Sequence, residues 1–126
     1  MSENLTKILI CDDSILMRKK LRESLNSCGS FEILEATDGE KAVKIYKEEK
    51  PALVFMDIVM PVKDGITAVS EIKEFDKKAK VVMASSSGTK EHLKKAIKAG
   101  AFEFIQKPWE QEQITRIVKN LDRKGE

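Results

Sequence analysis

Five residues spread along the chain have types that could do chemistry together. They are the adjacent pair Asp12 and Asp13, then Asp57, Ser85 and Lys107. Read one at a time, each has an ordinary role. An aspartate at a strand end is often a helix cap, Ser85–Ser87 is a polar loop, Lys107-Pro108 is a turn, and Cys11 is a small core residue. Read as a set, they say more. Three carboxylates brought close together repel one another and call for a cation. With no histidine or cysteine cluster to soften the ligand set, oxygen donors favour a hard ion, Mg²⁺. Such an ion keeps several waters and takes one or two carboxylates plus phosphate oxygens. A lone lysine beside them is a fixed positive charge for a phosphoryl group, and a serine hydroxyl can donate to it. A carboxylate can itself be the nucleophile, forming an aspartyl phosphate.

Those residues must be carried by elements that bring them together, and the hydropathy pattern supplies them. Five short apolar runs read as strands: Lys7–Cys11, Phe31–Ala36, Ala52–Asp57, Lys80–Ser85 and Ala101–Gln106. The first, third and fourth are almost continuously apolar, as strands covered on both faces are. The second and fifth are mixed, which places them nearer the sheet edges. Five amphipathic stretches alternate with them: Ser14–Ser27, Asp38–Glu48, Asp64–Phe75, Thr89–Ala99 and Trp109–Leu121. Their apolar positions recur at helical spacing: Ile15, Leu21 and Leu25; Ala42, Val43 and Tyr46; Ile66, Val69, Ile72 and Phe75; Leu93, Ala96 and Ile97; Ile114, Ile117, Val118 and Leu121. Ser14, Asp38 and Thr89 read as N-caps. Gly29 and Gly100 read as left-handed C-caps, and Pro51 and Pro61 fall in connections.

Strict strand–helix alternation predicts a doubly wound α/β fold, a parallel sheet with helices on both faces. In such sheets the site lies outside the carboxyl ends of the strands, where the strand order reverses. Asp12 and Asp13 follow the first strand, Asp57 and Ser85 end the third and fourth, and Lys107 follows the fifth. All five residues therefore fall on one rim.

Composition agrees with one globular domain spanning residues 1–126, with its core at about 6–121. At 126 residues the chain is long enough for a substantial core. Charged residues make up 35% and hydrophobic residues 41%, and the net charge is +2. That balance predicts no direct contact with nucleic acid. No apolar run is long enough to span a bilayer, and the first residues lack a signal-peptide pattern, so a cytoplasmic location is expected. Cys11 and Cys28 form no metal or redox motif, and a single His92 leaves little scope for a histidine-based triad.

The runs ILICDDS, FMDIVMPVKDG, VVMASS and AGAFEFIQKPW, in that order and spacing, resemble the receiver domains of bacterial two-component response regulators, closest to the stand-alone CheY-like type. The resemblance spans about Thr6 to Leu121. It implies a five-stranded sheet of order 2-1-3-4-5, with Asp57 as phosphoacceptor. Mg²⁺ would be held by Asp13, Asp57 and the Val59 backbone carbonyl, with Asp12 acting mainly through a water. Lys107 would pair with phosphoryl oxygens and Ser85 would hydrogen-bond them. The Lys107–Pro108 bond would be cis. Phe104 would be the aromatic switch that reshapes the face made by the fourth helix, fifth strand and fifth helix. Ser85, Phe104 and Trp109 stand where Thr, Tyr and Phe are commoner, and Val59 and Ser87 occupy positions that tune aspartyl-phosphate lifetime.

The expected function is that of a signalling switch, not an enzyme beyond slow self-catalysed phosphorylation and dephosphorylation. Its partners would be a histidine kinase or phosphotransfer protein, met by Ile15, Leu16 and Met17, and a downstream protein such as the flagellar motor switch, with a phosphatase possible. A monomer is expected. Trp109 is a candidate anchor on the output face, and Lys90, Lys94, Lys95 and Lys98 form a basic face that is either solvated or meets an acidic partner. The alternative within the family is a phosphorelay intermediate outside chemotaxis. Outside it are a phosphohydrolase of small substrates, a phosphorylation-independent module, and a flavin-binding protein.

Overall fold

The computed structural model describes residues 5–86 and 90–121. Five strands and five helices alternate: β1 Thr6–Cys11, α1 Ile15–Asn26, β2 Phe31–Ala36, α2 Gly39–Glu49, β3 Leu53–Asp57, α3 Gly65–Phe75, β4 Val81–Ser85, α4 Lys90–Ala99, β5 Glu103–Gln106 and α5 Gln111–Leu121. All strand pairings are parallel, in the order β2-β1-β3-β4-β5. The mixed runs β2 and β5 are the two edges, as their composition predicted.

Strand alternation sorts the core into two layers. Ile8, Ile10, Leu53, Phe55, Val82, Ala84 and Ile105 face α1 and α5, where Leu21, Leu25, Ile114, Ile117 and Leu121 meet them. Leu9, Cys11, Val54, Met56, Val81 and Met83 face the other way, against Ala42, Val43 and Tyr46 of α2, Ala68, Val69 and Ile72 of α3, and Ala96 of α4. The strand order reverses between β1 and β3, so their carboxyl ends open the crevice in which a site belongs.

Helix starts follow local chemistry. The side chains of Ser14, Asp38 and Asp64 each accept a hydrogen bond from the N–H three residues on, satisfying a donor that the helix leaves unpaired. The expected cap Thr89 lies outside the described residues, as does Ser87.

Several expectations are corrected. Ile15 is 76% exposed and does not share the buried stripe of Leu21 and Leu25, because at about 100° per residue its spacing sets it roughly 80–120° round the helix from them. On α4 only Ala96 is buried, while Leu93 and Ile97 are exposed. Phe75, at the end of α3, is 45% exposed. Gly29 does not take the left-handed conformation. Ser27 ends α1 in right-handed geometry, its N–H bonded to Glu23 O, so no reversal is needed. Gly100 does end α4 with φ of 101°, and Lys50 ends α2 with φ of 47°. Pro51 follows Lys50 and disfavours the right-handed helical region for it. Finally, α5 begins at Gln111, not Trp109. Lys107–Pro108 is cis, and the Gln113 side chain accepts from Glu110 N at 2.9 Å, closing the start of the helix two residues later.

Candidate functional site

The rim assembles as the strand ends required. Asp12 follows β1 and Asp57 ends β3, on the neighbouring central strands. With Lys107 they continue the parity of Ile10, Phe55 and Ile105, toward α1 and α5. Lys107 Nζ donates to Asp12 Oδ2 at 2.6 Å and lies 3.3 Å from Asp57 Oδ1. Carboxylate oxygens of Asp12, Asp13 and Asp57 all fall within 4.8 Å of one another. Ser85 is 2% exposed and ends β4, one residue beyond Ala84, the register partner of Asp57.

The main chain around the carboxylates is held tightly. Asp12 N donates to Ala36 O at 3.1 Å, Asp12 Oδ1 accepts from Ser14 N at 2.9 Å, and Asp12 O accepts from Arg18 Nη1 at 2.8 Å. After Asp57, Ile58 N donates to Ala84 O and Ile58 O accepts from Gly65 N at 2.8 Å. Val59 comes next and is 68% exposed, so the chain turns over the rim here. A Cβ on Gly65 would collide with the carbonyl oxygen of Asp57, and one on Gly39 with that of Lys63. Only glycine lets this loop fold so closely back onto the strand end. Within the loop Val62 has φ of 67°, and Lys63 N bonds back to Pro61 O at 2.7 Å. This is a γ-turn of the rarer, strained hand.

Electrostatics follow from that packing. Burial pushes the Asp57 carboxyl above its ordinary value; the Lys107 ammonium opposes this, while the charges of Asp12 and Asp13 add to it. Three carboxylates thus face a single ammonium. The donor set, all oxygen and with negative charge in excess, fits a hard divalent cation. Asp12, Asp13 and Asp57 are the groups placed to hold one. Cys11 lies beneath them fully buried, its thiol pushed well up by burial.

Beside the carboxylates, sharing Lys107 with them, runs a groove of about 840 Å³ between α1 and the β5–α5 connection. Met17, Lys20, Ser24, Trp109 and Gln111 line it. Trp109 is half-buried in the α1/α5 layer and its Nε1 donates to Ser24 Oγ at 3.1 Å. The indole is therefore turned toward α1, away from α4. Phe104 is half-buried against the opposite layer, paired in register with Met83.

Sequence reading passed over Arg18 and Glu35. Arg18 Nε donates to Glu35 Oε1 at 2.7 Å, and Arg22 Nη2 to Glu35 Oε2 at 2.5 Å. The available signal was a charged residue inside the apolar run FEILEA. Its meaning depends on β2 lying beside β1, with Glu35 in register with Ile10.

A doubly wound sheet with carboxylates, a buried hydroxyl and an ammonium at its switch point defines a class: an α/β protein with an acidic, cation-ready pocket at the strand ends. The chain belongs to the response regulator receiver domain family, which matches residues 8–119. It is 48% identical over 116 residues to a chemotaxis protein CheY of Halobacterium salinarum, covering 91% of this chain and 95% of that one. It is 42% identical over 117 residues to CheY of Thermotoga maritima, covering 93% and 95%. Among solved structures it is similar to a CheX–CheY–BeF₃–Mg²⁺ complex from Borrelia burgdorferi, with 39% identity and a TM-score of 0.85 over 92% of this chain and 88% of that one. It is thus a CheY-like receiver domain. Among the described residues no helix is long and apolar enough to cross a membrane.

Proposed function

We propose that this receiver is a phosphorylation-controlled switch whose acceptor is Asp57, and that it works in chemotaxis signalling in the cytoplasm. The observation that carries the reading is Lys107 lodged between Asp12 and Asp57 inside the carboxylate cluster. It is a cation already positioned where a phosphoryl group on Asp57 would bring negative oxygens.

An Asp57 carboxylate oxygen attacks the phosphorus of a phosphohistidine on a kinase or phosphotransfer protein. The new O–P bond forms as the P–N bond breaks, and the imidazole leaves with the bonding pair and takes a proton from solvent. Mg²⁺, when bound, neutralises the charge that gathers on the phosphoryl oxygens. Lys107 exchanges carboxylate for phosphoryl oxygen, and the Ser85 hydroxyl donates to another. Hydrolysis returns the carboxylate and inorganic phosphate. These slow self-catalysed steps make the chain a phosphoacceptor, not a turnover enzyme.

Docking surfaces on both sides support the reading. Ile15 and Leu16, 76% and 57% exposed, together with the Trp109 groove, offer an apolar landing site for the phosphodonor next to Asp57. Leu93 and Ile97 stand exposed on α4 among Lys90, Lys94, Lys95 and Lys98, where inward movement of Phe104 would be felt. A motor-switch protein or a CheX-like partner would read that face.

Intact mass after incubation with acetyl phosphate tests the reading. The expected result is one phosphoryl group on wild type with Mg²⁺, and none on Asp57→Asn or without metal. No adduct under conditions that trap a short-lived phosphate would overturn it, and an adduct persisting in Asp57→Asn would mean a different acceptor.

A further inference from the structure

Asp12 and Asp13 are consecutive, so the peptide plane between them links the placement of both residues. That plane is held by a side chain from another turn. Arg18 Nη1 donates to Asp12 O at 2.8 Å, on the carbonyl of the Asp12–Asp13 peptide. The guanidinium is in turn fixed by Glu35, through Arg18 Nε at 2.7 Å. The Arg18 side chain is only 13% exposed. Arg22 binds the other oxygen of the same carboxylate, and both arginines hold the Glu35 carboxyl below its ordinary value, Arg22 more strongly. Glu35 therefore remains ionised and keeps hold of both guanidiniums at any physiological pH.

We propose that Arg18 is a positioning residue for the divalent cation: tied to Glu35, it locks the Asp12–Asp13 peptide so that Asp13 is presented to the ion. The proposal rests on the reading of the carboxylate cluster as a Mg²⁺-dependent phosphoryl site. It makes a directional claim. A guanidinium acting only through its charge would repel a cation, so removing it would tighten Mg²⁺ binding. A guanidinium acting by holding the peptide would, when removed, weaken it. Geometry is expected to prevail because Glu35, shared with Arg22, offsets part of the charge, while Arg18 grips the Asp12 carbonyl directly.

The test is Mg²⁺ affinity by titration calorimetry on the full chain, with melting temperature and acetyl-phosphate labelling measured alongside. Arg18→Ala is expected to weaken Mg²⁺ binding about tenfold, the lower end of what partners behind metal ligands contribute, while still melting as a folded domain. Arg18→Lys retains the charge without the two-pronged reach and is expected to weaken binding comparably. Glu35→Gln, which releases the guanidinium, is expected to weaken it as well. Arg22→Ala removes a bond to the same Glu35 without touching Asp12, and is expected to bind Mg²⁺ as wild type does.

Unchanged or tighter Mg²⁺ binding by a folded Arg18→Ala, with wild type both binding Mg²⁺ and accepting a phosphoryl group, overturns the positioning role alone. If Arg22→Ala weakens binding as much as Arg18→Ala, the effect is general to α1 and the specific claim fails. If wild type neither binds Mg²⁺ nor is labelled, the underlying reading and the proposal fall together.

Discussion

Lys107 gives Asp12 its shorter bond, 2.6 Å, and stands 3.3 Å from Asp57, the carboxylate that ends β3. The ammonium is thus held against one carboxylate within reach of the next. A cation shared in this way stabilises a cluster that would otherwise repel itself, and it is free to follow negative charge that appears on Asp57. Replacing it should expose the repulsion. Lys107→Met is expected to lose about 2 kcal/mol of stability in the presence of a chelator, the scale of a hydrogen bond to a charged partner at a nearly buried site. Adding Mg²⁺ should narrow the gap to wild type, since the ion takes over part of the neutralisation. Urea denaturation with and without Mg²⁺ measures both effects, and an equal gap in the two conditions would count against a shared cation site.

Asp57 works against stability when it is ionised. Burial, with Asp12 and Asp13 adding to it, raises its carboxyl above the ordinary 3.8 despite Lys107. A group whose pKa is raised on folding lends stability below its unfolded value, and that stability is lost as pH rises through the folded value. In chelator, Asp57→Asn should therefore be more stable than wild type at pH 7. The difference should shrink as pH falls through the raised folded value toward about 4. Denaturation midpoints across that window decide the matter; a constant difference would place the effect elsewhere.

Val62 has its φ at 67° with a β-branched, 76% exposed side chain. Left-handed backbone is costly for such a residue, and no packing is at stake. Val62→Gly, which has no Cβ to strain at positive φ, should stabilise the domain by up to about 1 kcal/mol, less what glycine loses in chain entropy. Thermal melts test this directly. A loss of stability would show that the side chain makes a contact more valuable than the relief of strain.

Tyr46 donates its hydroxyl to Asp76 at 2.8 Å, joining α2 to the end of α3. That bond is the main reason the Asp76 carboxyl lies below its ordinary value. A depressed carboxyl adds stability above its unfolded pKa, and that contribution fades as pH falls through the folded value. Tyr46→Phe should therefore lose about 1 kcal/mol at pH 7 and progressively less in acid. Chemical denaturation at pH 7 and pH 3 provides the comparison. Equal losses at both would point to ring packing against Phe75, not to the hydrogen bond.

Most of the rim was legible because local pattern and site coincide. Near-continuous apolar runs mark covered strands, and in a parallel sheet the residues just past each run share one edge. Asp12, Asp57, Ser85 and Lys107 could be placed together from that alone. Element ends were harder to read. Trp109 looked like the start of α5 because it precedes a helical stripe, but the indole is drawn to Ser24 of α1 and the helix starts at Gln111. Leu93 and Ile97 fit helical periodicity yet stay exposed. Periodicity marks a stripe but not how far the neighbouring layer extends beneath it.

By itself, then, the sequence determined the order and kind of the elements, the two-sided burial of the central strands and the identity of the rim residues. Each of these is a property of a short stretch: hydropathy period, a capping side chain, the residues that follow an apolar run. Tertiary structure decided which residues meet. Lys107 reaches Asp12 across 95 positions, Trp109 reaches Ser24 across 85, and Arg18 finds Glu35 only because β2 lies beside β1. Contacts of this kind depend on strand order and on which helix covers which strand. Those follow from packing the whole chain at once, and no local window of residues carries them.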